Sequence, residues 1–261
     1  MLSNIRALHL RRDLLFMLAW REIAIKYKQS VMGFLWAVLM PALIVSAGVL
    51  VRVAFSRIAG TQVAMSDVAL VATKSVPWAF FIGSIRFCSV SLVSNANLVS
   101  KIYVPREVFP LSSIISQGVD FLVATGVLVL VLAFAHVGIS IQLLWVPLLL
   151  ALLVLLATGI GFFVSAAGLF FRDVKYLVEV FVTFAIFFTP VFYETSMFAR
   201  LGHVLMLNPV APILEGLAFV VVRHQAPPLG WLTYSAVTAV TIFVVSWRTF
   251  KRLEPLFAQT V

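Results

Sequence analysis

Of 261 residues, 62% are hydrophobic and 11% charged, with a formal net charge of +9. Soluble chains of this length carry about a quarter charged residues, so this one cannot hide its apolar surface from water and must take the bilayer as solvent. The positive charge is scattered between apolar runs, which excludes a nucleic-acid partner, and a single cysteine, Cys88, excludes an internal disulfide.

In chain order, the first stretch mixes Arg11, Arg12, Asp13, Arg21, Glu22 and Lys26 among apolar residues, the wrong texture for a cleavable signal. Phe16, Trp20, Ile23 and Tyr27 fall at i, i+4, i+7 and i+11, while Arg11, Arg12, Glu22 and Lys26 cluster elsewhere around the helix. Residues 11–28 are therefore predicted to form an amphipathic helix on the cytoplasmic leaflet, aromatic side in the headgroup boundary, basic side against anionic lipid or a partner. A plain membrane anchor is the simpler alternative.

Six apolar runs follow: 31–51, 77–96, 112–135, 142–171, 176–193 and 231–247. Five cross a hydrocarbon core of roughly 30 Å without difficulty and the sixth with slight help. All are predicted helices, because in lipid the backbone must satisfy its own hydrogen bonds and barrel-type alternation is absent. The fourth run, at about 46 Å, must tilt or project from the bilayer. With six spans both termini share a side, and that side holds thirteen Lys and Arg against five on the other, with Arg86 inside a span. The bias puts both termini in the cytoplasm. Residues 194–229 contain two apolar stretches too short to span, and are predicted to dip into the outer leaflet and return, hinged at Asn208 and Pro209.

The residues for catalysis are missing. Ten carboxylates lie no closer in sequence than Asp173 and Glu179, the histidines His9, His136, His203 and His224 are scattered, and no metal-ligand spacing or GxxxxGK[ST] loop occurs. Any ATP that powers the protein must bind another chain. Arg86, Asp120 and Glu179 interrupt apolar runs, so each needs a partner or a wet cavity, either as structural ion pairs or in conduction. Phe181, Phe184, Phe188 and Phe192, at i, i+3, i+7 and i+11, form an aromatic stripe ending at Pro190 and Tyr193. It suits packing or lipid contact on one reading, and a pore lining along which sugar or lipid groups slide on the other. In the loop 97–111, Leu98, Val99, Ile102 and Tyr103 can share one face of a short helix that only a partner protein would cover, a re-entrant loop being the alternative.

The segments REIAIKYKQSVMGFLWAVLMP (21–41), NLVSKIYVPREVFPL (97–111), FRDVKYLVE (171–179), TPVFY (189–193), LNPVAPILE (207–215) and the tail FKRLEPLFAQTV (250–261) together resemble permease subunits of ABC exporters of cell-surface polysaccharides, the group handling O-antigen, capsule and teichoic-acid chains. The likeness covers nearly the whole chain. It implies one all-α transmembrane domain over 1–261, with six spans, an interface helix at 11–28, a cytoplasmic coupling helix at 97–110 and outer gate helices at 194–222. It further implies a multi-pass homodimer in the bacterial cytoplasmic membrane, docked on two cytoplasmic nucleotide-binding subunits that hold ATP and Mg, with no cofactor on this chain. The implied substrate is a polyprenyl-diphosphate-linked glycan.

Carried onto this sequence, the coupling residues are Asn97, Leu98, Lys101, Ile102, Tyr103, Pro105, Arg106 and Glu107. The interface helix is represented by Arg11, Arg12, Phe16, Trp20, Arg21, Lys26 and Tyr27. Channel-lining candidates on the first and fifth spans are Phe34, Trp36, Phe181, Phe184, Phe188, Phe192 and Tyr193, and the gate hinge is Asn208 and Pro209. Arg21, Lys26 and Lys28 are placed to attract a lipid diphosphate, although positive-inside topology explains them equally. An ABC permease for another lipid or a drug, an ion-coupled carrier using Arg86, Asp120 or Glu179, and a membrane transferase are the competing readings.

Overall fold

The computed structural model describes residues 12–28, 35–60, 62, 64–101 and 105–260, and every regular element among them is helical. Arg11, Phe34, Ile102 and Tyr103, with the side chains of Arg12 and Lys101, lie outside the described residues. Helix α1 (Arg12–Lys28) precedes α2 (Leu35–Ala59), α3 (Met65–Ser94), the short α4 (Ala96–Lys101) and α5 (Val108–Phe134). A 3-10 turn, Ile141–Trp145, leads into α6 (Val146–Phe170). Next comes α7 (Val174–Ala185), which a second 3-10 turn carries on to Phe188. The short α8 (Ala199–Leu205) and α9 (Ala211–Val221) then lead to α10 (Leu229–Thr260).

Among the described residues, five helical segments are long and apolar enough to cross a bilayer: four lie in α2, α3, α5 and α10, and the fifth is Ile141–Phe170. The element predicted over 176–193 is shorter than expected. Its 12 α-helical residues and three 3-10 residues reach roughly 24 Å. It stops there because Pro190 disfavours helical backbone at the residue before it, and Thr189 is extended, at φ −121° and ψ 133°. Other boundaries also moved. The second span begins at Met65 instead of 77, so Lys74, expected in an outer loop, lies within α3; α2 likewise runs past residue 51 and takes Arg52 and Arg57 with it. The long fourth run is broken at Trp145, with Pro147 in the first turn of α6. The last helix continues well beyond residue 247.

Helix α3 is the hub: 61% of its spanning window is buried, against 6% for α2 and 11% for α5. Small residues make this possible, since Ala69, Ala72, Ser84, Cys88 and Ser91 are buried along its length and let neighbouring backbones approach. Helix α6 uses glycine in the same way. A Cβ on Gly168 would lie 2.3 Å from the Ser89 carbonyl oxygen, and one on Gly159 would lie 2.9 Å from the Phe243 backbone. Ser91 and Ser165 hydrogen-bond across that α3–α6 contact at 2.9 Å.

Two apolar cores result. The larger joins Trp78, Phe81 and Ile85 of α3 with Leu149, Leu153 and Leu156 of α6 and Ile213 and Leu214 of α9. The smaller gathers Leu18 of α1, Val99 of α4, Phe109 of α5, Phe162 of α6, and Phe250 and Phe257 of α10. Helix α1 and the end of α10 therefore contribute to one core at the same end of the bundle.

Candidate functional site

At that terminal end α1 buries Leu18 and Ala19, while Phe16, Met17 and Trp20 are more than 60% exposed. Arg21 donates to Asn95 Oδ1, and both Lys26 and the Tyr27 hydroxyl donate to Asp120. Glu22 accepts from the Ser112 and Ser113 hydroxyls at 3.1 and 3.2 Å. Burial outweighs these bonds and raises the Glu22 pKa above its ordinary value. Of the charged residues expected to meet lipid or a partner, Glu22 and Lys26 are engaged within the chain, while Phe16 and Trp20 face outward. Ile23 and Tyr27, assigned to the same stripe, are only partly exposed.

On the exposed side of α3, Arg86 Nε donates to Glu179 Oε1 at 2.8 Å, tying α3 to α7. Together with the Lys26–Asp120 pair this gives a partner to each of the three ionisable residues of the apolar runs.

The 97–110 segment divides in two. Asn97 is exposed on α4, Leu98 is half-buried and Val99 is buried against α10. Pro105, half-buried, opens the turn to α5 and accepts the Val108 amide N–H. Arg106 and Glu107, expected to reach a partner, bond to α10 of the same chain. The Arg106 backbone N–H donates to Glu254 Oε1 at 3.1 Å and Nη1 to the Glu254 carbonyl at 2.7 Å. Glu107, 1% exposed, pairs with Lys251 at 2.6 Å.

At the opposite end, an ion-pair network that sequence reading missed holds α8 and α9. Arg52 contacts Asp67 at 2.7 Å and Glu194 at 3.7 Å, and Glu194 also pairs with Arg223. Lys74, 1% exposed, donates to the Tyr193 carbonyl at 2.5 Å and lies 3.8 Å from Glu215. Glu215 in turn accepts the Thr195 N–H at 3.0 Å. One signal for this was available: Asp67 just upstream of an apolar run is the acidic first turn that a helix N-terminus favours.

Between α8 and α9 the chain is non-helical around Asn208 and Pro209. Backbone groups without helical partners need others, and three side chains supply them. The Tyr234 hydroxyl donates to the Leu207 carbonyl at 2.8 Å, Ser235 donates to the Pro209 carbonyl at 2.6 Å, and Asn208 Nδ2 donates to Thr189 Oγ1 at 2.9 Å.

On α7, Phe181, Phe184 and Phe188 are 69%, 56% and 68% exposed, whereas Val178 and Val182 face the core. Phe192 leaves this stripe because the helix has ended by Phe188; its ring lies against Gly48 and Val71. Tyr193 turns back, its hydroxyl donating to the Phe187 carbonyl at 2.8 Å. Trp36 is exposed on α2, where Met40 and Leu43 also face outward.

The arrangement is therefore a helical bundle with an aromatic outer face, a linked terminal end and a short α8–α9 hairpin. The sequence profile of the ABC-2 type transporter membrane family matches residues 13–222, from α1 to just past α9. This chain belongs to that family. Among relatives of this ABC-2 type transporter is the O-antigen export system permease protein RfbA of Klebsiella pneumoniae, 26% identical over 95% of this chain and 94% of its own length. The O-antigen export system permease protein RfbA of Myxococcus xanthus is 24% identical over the full length of both chains. The matched region of the ABC-2 chain takes in α1, the 97–110 segment and the α8–α9 hairpin alike.

Proposed function

We propose that the chain is the channel-forming membrane subunit of an ATP-driven exporter that moves an O-antigen-like polysaccharide, linked to polyprenyl diphosphate, across the bacterial cytoplasmic membrane. The full-length similarity to O-antigen export permeases carries this reading. The working unit is a homodimer on two ABC nucleotide-binding subunits, which bind ATP and Mg. The termini, α1 and α4 lie on the cytoplasmic side, in accord with the Lys and Arg bias. Exposed rings on α7 and the outward face of α2 supply the apolar lining between two copies. Asn97 and its neighbours on α4 dock on the nucleotide-binding subunit, and closure of those subunits tilts the helices joined to it.

Co-purification with a candidate ATPase tests the assembly. The complex should retain the ATPase, and replacing 97–101 with a Gly/Ser stretch should release it while the permease remains folded. An ATPase that never associates, in cells that still need this chain to display their polysaccharide, would count against the reading.

A further inference from the structure

Helix α4 is six residues long, well short of the roughly 12–15 residues at which an isolated helix is even marginal in water. Its place is therefore set by what it touches. At its start the Asn95 carbonyl accepts the Leu98 and Val99 N–H groups at 2.8 and 3.0 Å, and Arg21 of α1 donates to Asn95 Oδ1. On another side lies α10: Val99 is 2% exposed, in one core with Phe250 and Phe257.

Arg106 completes this second attachment. Its guanidinium reaches carbonyls of two helices, Nη2 donating to Val99 of α4 at 3.5 Å and Nη1 to Glu254 of α10 at 2.7 Å, while its backbone N–H donates to Glu254 Oε1 at 3.1 Å. Lys251, one turn earlier on α10, donates to Glu254 Oε2 at 3.0 Å and to Glu107 Oε2 at 2.6 Å. The Arg106–Glu107 step is thus gripped by the Lys251–Glu254 turn. A guanidinium presents its donors at fixed angles and so ties the two carbonyls to one another, which an ammonium on a flexible stem does not. Burying Glu107 here is a poor route to stability, because a buried ion pair gives little net gain over apolar residues of similar size. What the pair supplies is fixed geometry.

We propose that Arg106 and Glu254 are positioning residues for the nucleotide-binding subunit, holding α4 fixed to α10 so that the subunit meets a docking helix already in place. The proposal rests on the reading that α4 docks that subunit. Contact itself falls to the exposed side of α4 at Asn97, whereas the polar groups of Arg106 and Glu254 are engaged with each other and with Val99. A helix ordered before the encounter removes the ordering cost from binding. Loss of the clasp therefore appears first as a mobile α4 and then as weaker docking.

The test combines amide hydrogen exchange over 97–101 in the purified full-length protein with titration of the ATPase that co-purifies with it. Glu254→Ala removes the acceptor for the Arg106 N–H, and Arg106→Lys keeps the charge but loses the fork. Each should speed that exchange by at least about tenfold and weaken ATPase binding by about tenfold, while melting temperature stays within a few degrees. Glu254→Gln keeps an oxygen for the Arg106 N–H and should bind within about twofold of the parent. Two variants guard against one that fails to fold. Parental binding by Arg106→Lys overturns the proposal, because charge alone would then suffice. Equal losses in Glu254→Gln and Glu254→Ala also overturn it, because the subunit would then read the carboxylate directly. An ATPase that binds the parent and both folded variants alike, with exchange unchanged, overturns the clasp alone; a parent chain that binds no ATPase overturns the exporter reading with it.

Discussion

Glu22 faces two serine hydroxyls of α5 and still holds its proton more tightly than an exposed glutamate, because the cost of burying the charge exceeds what those bonds return. Its pKa is higher folded than unfolded. The stability it lends is therefore fully present below the unfolded value of about 4.5 and is lost as pH rises through the folded value. Glu22→Gln keeps an oxygen for the serines and removes the titration. The variant should melt with a flatter dependence on mildly acidic pH, and at neutral pH no lower than the parent. Thermal unfolding across a pH series checks this, and a neutral-pH melting temperature several degrees down would refute it. Lys74 is buried in the apolar bundle beside Glu215 and the Tyr193 carbonyl, the partners that a polar group placed there needs.

Helix α10 is fixed to the α4–α5 turn through Lys251 and Glu107. Lys251→Met would leave the Glu107 carboxylate buried and unpaired, at a cost of roughly 3 kcal/mol, toward the low end for buried pairs because Lys251 keeps some exposure. Adding Glu107→Gln should recover much of that loss. Equal unfolding midpoints for Lys251→Met and the parent in denaturant titrations would remove the pair from the account. At this scale the sequence was readable where chemistry is local. Pro190 marks the end of α7, Asn208 and Pro209 mark the break between α8 and α9, and apolar length marks the spans. It was unreadable where partners are remote in the chain: a lysine reads as a helix boundary until Glu215, far downstream, is brought beside it. The polar contacts of α1 were hidden for the same reason, because Asn95, Ser112 and Asp120 are placed only by folding.

For the molecule as a whole, the outward rings of α7 separate stability from transport. Phe181, Phe184 and Phe188 are largely exposed and contribute little to the fold of one copy. Replacing all three with alanine should slow export of a bulky glycan several-fold while leaving melting temperature within a few degrees, measured by surface polysaccharide in cells and by unfolding of the purified protein. Unchanged export would remove these rings from the path. The candidate site was partly legible at this level too: aromatic spacing exposed the α7 stripe, but no pattern in sequence could show that Phe192 folds away from it. Finally, α10 spans 32 residues without a break. It holds the Leu207 and Pro209 carbonyls near one end, through Tyr234 and Ser235, and Glu107 near the other. Ser235 and Lys251 are separated by about 24 Å along the axis. A stiff rod of that reach works as a lever: rocking it by about 5° at the Lys251 end sweeps the far attachments through about 2 Å, enough to break or remake hydrogen bonds that clamp the α8–α9 turn.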